Sequence, residues 1–211
     1  ALGTSGVSPL EMAAAFSTFA TGGIHHEPFL IRRVEDPVGR ILDEHLITSK
    51  RNLDADITFQ VVDMMRGVLD GGTASVIRRL GFDLPAAGKT GTSDDYHDAW
   101  FSGFTPELSV SVWVGHDRGG GMRDARGRGV TGGRGAAPRW TEFMLKATQG
   151  EPRREFSVPS GIRFKKVSPK TGRVAGLFER EPLSVALRKD QKLLGNGGFG
   201  TNDHIVEQDL K

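Results

Sequence analysis

The sequence contains no cysteine. That excludes a disulfide framework, thiolate metal sites and a cysteine nucleophile. It contains no unbroken apolar run of about 18 residues, so no segment reads as a membrane-spanning helix. A surplus of charge is also missing. The chain carries 28 basic and 26 acidic residues, a formal charge of +2. So small an excess over this length gives no strong global field and does not argue for nucleic acid or an anionic membrane as partner. The start, Ala1-Leu2-Gly3-Thr4-Ser5, has no initiator methionine, no basic n-region and no apolar h-region. It is expected to be the interior of a longer polypeptide.

Glycine is abundant, at 29 of 211 residues, about twice the usual ~7%. With 10 prolines, no cysteine and no Gly-X-Y period, this is neither a collagen nor a disulfide scaffold. The length corresponds to about 1.4 domains. No internal repeat is present.

Ser8-Pro9-Leu10-Glu11 has the pattern of a helix start, with Ser8 as cap, Pro9 at the first position and Glu11 closing a capping box. Met12, Phe16, Phe19 and Ala20 follow at helical spacing as a core stripe, and Gly22-Gly23 stops the helix. Phe29 to Val34 and Arg40 to Leu42 flank Asp36-Pro37-Val38-Gly39, which predicts a hairpin. A second helix is predicted from the cap Asp54 to Leu69, with Ile57, Val61, Met64, Met65 and Val68 facing inward. Thr73 has the position of a cap for a short helix reaching Leu80.

Three strands are predicted close together, over residues 86–92, 99–104 and 108–115. In the third, Leu108, Val110, Val112 and Val114 share one face, and Ser109, Ser111 and Trp113 the other. Short connections make them antiparallel neighbours. A Gly/Arg loop follows, and Pro138 opens a last helix with Trp140, Phe143, Met144 and Ala147 inward. Gly150-Glu151-Pro152-Arg153-Arg154 reads as a boundary, giving units 1–149 and 150–211. In the second unit residues 156–174 are expected to hold one or two short strands, and the chain from Asn196 is expected to be flexible.

The informative stretch is Ala86-Ala87-Gly88-Lys89-Thr90-Gly91-Thr92-Ser93. A Lys-Thr-Gly triplet alone carries little weight; a second copy, Lys170-Thr171-Gly172, follows Ser168-Pro169 in a polar region and reads as a turn. The first copy lies in a predicted strand and is followed by Asp98-Ala99-Trp100-Phe101. Gly91 has no side chain to cover the strand. Lys89 supplies a positive charge. Thr90 and Thr92 supply hydroxyls.

Lys89-Thr90-Gly91-Thr92 followed by Asp98-Ala99-Trp100-Phe101 resembles the third active-site motif of penicillin-binding proteins. Ala1-Leu2-Gly3-Thr4 to Thr21-Gly22-Gly23, Asp70-Gly71-Gly72-Thr73-Ala74, Trp113-Val114-Gly115-His116-Asp117 and Thr131-Gly132-Gly133 are similar to the class A, bifunctional members. The resemblance covers about residues 1–148 and thins out beyond 155. It implies an α+β fold, the penicillin-binding transpeptidase or serine β-lactamase-like fold, of which residues 1–149 are the C-terminal half and 150–211 an extension. It implies serine acyl transfer between peptidoglycan stem peptides, with β-lactams acylating the same serine. It assigns catalytic roles to Lys89 and Thr92, the Thr92 N–H forming half of an oxyanion hole, and substrate binding to Lys89, Thr90, Gly91 and Thr92. No serine from Ser5 to Ser184 begins S-x-x-K or S-x-N. The nucleophile is therefore expected in an N-terminal part of the same polypeptide, and this chain alone is expected not to acylate.

The resemblance further implies stem peptides, a lipid-linked precursor and β-lactams as partners. It implies no cofactor, and a parent with a glycosyltransferase domain and an anchor in the bacterial inner membrane, its domain on the periplasmic side. A D,D-carboxypeptidase, a β-lactamase-like piece and a non-catalytic binding module remain as alternatives. Arg118, Arg123, Arg126, Arg128 and Arg134 among glycines suggest a nucleic-acid-binding loop, but no aromatics interleave for stacking, so no nucleic acid is expected. His25, His26, His45, His97, His116 and His204 lack ligand spacing, and no metal is expected. Asp98 is expected to be a structural hydrogen-bonding residue, with Asp94 and Asp95 in a solvated turn.

Overall fold

A computed structural model describes residues 5–176 and 181–191. Ala1-Leu2-Gly3-Thr4, His204 and the stretch from Asn196 that was expected to be flexible lie outside the described residues. The capping box forms as its spacing demands. Helix α1, Pro9–Ala20, begins with the Ser8 hydroxyl accepting from Glu11 N, while Glu11 Oε2 accepts from Ser8 N at 2.7 Å. Gly22 and Gly23 follow with positive φ and end it. Strand β1, Ile24–His26, pairs antiparallel with β4, Ser49–Arg51; the sequence pattern foretold neither. Between them β2, Arg33–Glu35, and β3, Ile41–Glu44, form the expected hairpin, shorter at its start because residues 29–32 make no ladder. Asp36 closes its turn, its carboxylate accepting from Val38 N and Arg40 N.

Helix α2, Ala55–Asp70, is capped by Asp54, whose carboxylate accepts from Asp56 N and Ile57 N. Its inner face differs in part from the expected one: Met65 is buried and Val68 packs against the core as expected. Thr58, Phe59, Val62, Met65 and Leu69 are buried, whereas Ile57 is 48% and Met64 68% exposed. The stripe is rotated by one residue because Thr58 turns inward and still satisfies its hydroxyl on Asp54 O at 2.6 Å. A threonine that bonds its own helix backbone is buried without an unpaired polar atom. Helix α3 is a single turn, Val76–Arg79, preceded by Ser75. Thr73 does not cap it.

Strands β5, Ala87–Thr92, β6, Asp98–Phe104, and β7, Ser109–Gly115, form an antiparallel sheet in the order β5-β6-β7. In register, Lys89 lies beside Ser102, and Ser102 beside Ser111; Thr90 lies beside Phe101, and Phe101 beside Val112. Gly91 lies beside Trp100, and Trp100 beside Trp113; Thr92 lies beside Ala99, and Ala99 beside Val114. Helix α4, Ala137–Ala147, buries Ala137, Trp140, Thr141 and Met144. Phe143, expected inward, is 51% exposed, and Ala147 is exposed as well. The 137/140/141/144 spacing is itself a helical stripe, and the large Trp140 sets which stripe faces in. Trp140 is the hub of the core: Phe82 and Phe101 meet it edge-on at 5.3 and 5.2 Å. Its indole N–H donates to Gly103 O and Val110 O. On the opposite face of the sheet, Phe16 and Phe19 of α1 meet Phe104 at 6.2 and 6.4 Å, and Ser109 Oγ donates to Ala13 O.

The chain divides into two compact units at Pro159/Ser160, later than the 149/150 expected. Residues between those points stay with the first unit: Phe156 is buried with its ring 5.6 Å from Phe104, and Arg154 pairs with Glu107 at 3.0 Å. In the second unit β8, Ile162–Val167, lies in the expected stretch and pairs antiparallel with β9, Leu183–Arg188, which lies beyond it. Lys170-Thr171-Gly172 is the expected turn, with Gly172 at φ +67° and its N–H donating to Ser168 O.

Candidate functional site

β5 carries the Lys-Thr-Gly-Thr stretch at the edge of its sheet. Among the described residues no strand pairs with its second edge. Because side chains alternate along a strand, Lys89 and Gly91 lie on one face and Thr90 and Thr92 on the other. The four residues therefore do not share one surface; they meet at the strand edge. Lys89 is exposed, and its ammonium donates to Thr90 O at 2.8 Å. A side chain at 91 would press on Trp100 Cβ at 3.2 Å, so glycine keeps this stretch of the edge low.

Both threonine hydroxyls are tied to loops. Thr90 Oγ1 lies 2.8 Å from Thr73 Oγ1, in the turn after α2. Thr92 Oγ1 accepts from Gly132 N at 3.0 Å, in the five-residue turn Gly132–Ala136 that leads into α4. Gly132 sits hard against the strands: a Cβ there would overlap Trp100 O and come within 2.6 Å of Gly91 O. A Cβ at Gly133 would overlap Thr73 O. Only glycine lets the turn close on both.

The segment after β5 is fixed by Asp98, as expected. Its N–H donates to Ser93 Oγ at 2.7 Å, and its carboxylate accepts from Ser93 Oγ at 3.1 Å and Trp113 Nε1 at 2.8 Å. Asp94 and Asp95 are exposed in the turn between, with Asp95 at φ +53°. Exposed His97 holds the glycine loop, its Nδ1 accepting from Gly120 N at 3.1 Å. That loop folds back on Tyr96: Met122 N donates to Tyr96 O, and the Arg123 guanidinium lies 5.8 Å over its ring. Its tip is a tight turn in which Asp124 accepts from Arg126 N, Arg128 N and Arg128 Nε. The Arg128 side chain holds the Asp124 carboxyl below the usual carboxylate range. Among the described residues no three His, Asp or Glu side chains converge as metal ligands.

Thr73, Gly132 and the His97–Gly120 bond were not singled out as site residues from sequence. Thr73 carried a signal, a hydroxyl after Gly71-Gly72, but the pattern points to a cap. Gly132 and Gly120 act through backbone N–H groups, which every residue but proline possesses.

The fold is that of penicillin-binding transpeptidases. Penicillin-Binding Protein 1A from Haemophilus influenzae matches with a TM-score of 0.76 over 89% of this chain and 33% of that one, at 23% identity. PonA1 from Mycobacterium tuberculosis matches at 0.62 over 71% of this chain and 40% of that one, at 28% identity. Residues 1–126 match the family described as penicillin binding protein transpeptidase domain, and the chain belongs to that family. Penicillin-binding protein 1A of Aquifex aeolicus is 38% identical over 81% of this chain, and penicillin-binding protein 2D of Bacillus subtilis 35% over 83%. The chain spans about a quarter of these relatives, 23% and 25% of their lengths.

Proposed function

We propose that this chain forms the Lys89–Thr92 wall of the active site of a serine-type D-Ala-D-Ala transpeptidase that cross-links peptidoglycan. The observation that carries the reading is an edge strand with a cation, a bare glycine and two anchored hydroxyls in four consecutive residues. An extended stem peptide adds to the edge, Gly91 giving its backbone room. The Lys89 ammonium and the Thr90 and Thr92 hydroxyls take its terminal carboxylate. The Thr92 N–H stabilises the oxyanion that forms as the acyl carbonyl is attacked. The attacking serine belongs to an S-x-x-K segment of the same polypeptide, since no serine of this sequence begins that motif. The serine oxygen bonds to the penultimate D-Ala carbonyl, terminal D-Ala leaves with a proton, and an amine of a second stem then displaces the serine. β-Lactams acylate the same serine. The site works on the outer side of the bacterial inner membrane; no helix among the described residues is long and apolar enough to cross it.

Fluorescent penicillin tests the reading. This chain alone is expected to stay unlabelled, and a polypeptide joining it to an S-x-x-K segment to be labelled covalently. Labelling of a serine within this sequence would overturn the assignment.

A further inference from the structure

The Thr73 hydroxyl has an unexpected partner. It sits where a helix cap would, yet α3 starts after Ser75 without any side-chain cap, and Thr73 Oγ1 lies 2.8 Å from Thr90 Oγ1. The turn is held from both sides. Gly72 N donates to Gly67 O and Ala74 N to Val68 O, both at 3.0 Å, and Ala74 is fully buried. From the other direction Gly133 packs directly on Thr73 O. Thr73 itself is exposed, so its hydroxyl is not forced to Thr90 by a shortage of solvent partners.

A hydroxyl has one proton and two acceptor positions, and a carboxylate only accepts. Thr92 already has the right polarity. Gly132 N can only donate, so Thr92 Oγ1 accepts and keeps its own proton for a ligand. Thr90 is ambiguous: either threonine of the Thr73–Thr90 pair can donate to the other. An anion at the strand edge resolves this: with the Thr73–Thr90 bond kept, Thr90 can give its single proton to the anion only if Thr73 is the donor within the pair.

We propose that Thr73 is a positioning residue for carboxylate recognition. By donating to Thr90 Oγ1 it reserves the Thr90 proton for the carboxylate of the acyl donor, fixes the direction of that O–H and polarises it. Thr90 and Thr92, two residues apart on one face, then present two parallel donors, each with an acceptor position already filled from its own loop. This rests on the reading of the strand edge as the acyl-donor site.

The test uses the acylating polypeptide with two acyl thioesters that share an acyl group. One releases mercaptoacetate, which carries a carboxylate, and the other mercaptoacetamide, which is neutral. In both, the serine oxygen replaces sulfur at the carbonyl and the thiol leaves with the proton. For Thr73→Val the preference for the charged over the neutral donor, read as the ratio of kcat/KM values, is expected to fall about tenfold, the size of one hydrogen bond to an ion-linked group. The fall should lie in KM for the charged donor, and Thr73→Ser should restore the ratio. An unchanged ratio in Thr73→Val, equal slowing of both donors, or failure of Thr73→Ser to restore the ratio overturns the proposal. An unmutated enzyme without preference for the charged donor overturns the carboxylate reading of the strand, and this proposal with it.

Discussion

Gly132 N donates to Thr92 Oγ1 at 3.0 Å, joining residues 40 apart in the chain. The turn leading into α4 thus braces the last threonine of the Lys-Thr-Gly-Thr strand, and the core that holds α4 also holds the proposed site. Trp140, eight residues on, is fully buried.

Gly132→Ala should therefore damage stability and site together. The new Cβ meets two backbone oxygens, Trp100 O and Gly91 O, which cannot swing aside as a side chain can. A loss of about 1–3 kcal/mol is expected from the overpacking, read by denaturant unfolding, with penicillin labelling slowed at least about tenfold through the displaced Thr92. Unfolding and labelling both at the unmutated level would show that the turn does not brace the strand.

Lys89→Ala removes the ammonium beside the strand edge while leaving the ladder to β6 intact. Labelling of the acylating polypeptide should slow by about a hundredfold or more, as expected when a charged, site-directed group is deleted. Near-normal labelling would remove Lys89 from the site.

Asp98→Ala breaks the bonds from Ser93 Oγ and Trp113 Nε1 at once. The expected cost is about 1–3 kcal/mol in urea unfolding, from the donors left behind. Asp98→Asn, which keeps an acceptor for the indole, should lose less. Equal losses would mean that the negative charge, not the hydrogen bond, is what Trp113 needs.

The inner face of α4 is testable by a pair of truncations. Trp140→Ala should cost about 3–5 kcal/mol, because it empties the centre of the core. Phe143→Ala, at a 51% exposed position, should stay within about 0.5 kcal/mol. A large loss at Phe143 would contradict the observed orientation.

The Ser8 N–H and hydroxyl hold the Glu11 carboxyl below its ordinary value. A carboxyl whose folded value is depressed contributes fully above its unfolded value and loses that contribution as pH falls through the folded one. The capping contribution to α1 is thus complete at neutral pH and fades on acidification. Thermal melts against pH should show Glu11→Gln less stable than the unmutated chain at neutral pH, with the two converging below the carboxylate range. A gap that persists in acid would exclude the ionised capping box as its source.

Much of the local structure was legible because single residues impose it. Ser8, Pro9 and Glu11 start α1, Gly22 and Gly23 stop it, and Asp36 closes the hairpin turn. The alternation from Ser109 to Val114 marks β7, and the place of Asp98 at the start of a strand marks it as structural. Side-chain facing was less legible. In α2 and α4 apolar residues cover more than one stripe: Met65 and Met144 are buried while their neighbours Met64 and Phe143 are exposed, and Leu69 and Met144 belong to the core cluster that holds Trp140 and Phe101. The short strands β1 and β4 escaped because each is three residues long and gains its identity from pairing with the other.

By itself the sequence determined the helix ends, the turn chemistry, the alternation of the sheet strands and the family, through the ordered motifs around Lys89. Those features depend on neighbours a few residues away. Tertiary structure decided which stripe of each helix is buried, and it decided what the two threonine hydroxyls of β5 touch. Thr73 and Gly132 reach them from 17 and 40 residues away. Such contacts depend on how the loops close over the strand, and no local pattern encodes the direction of a hydroxyl proton.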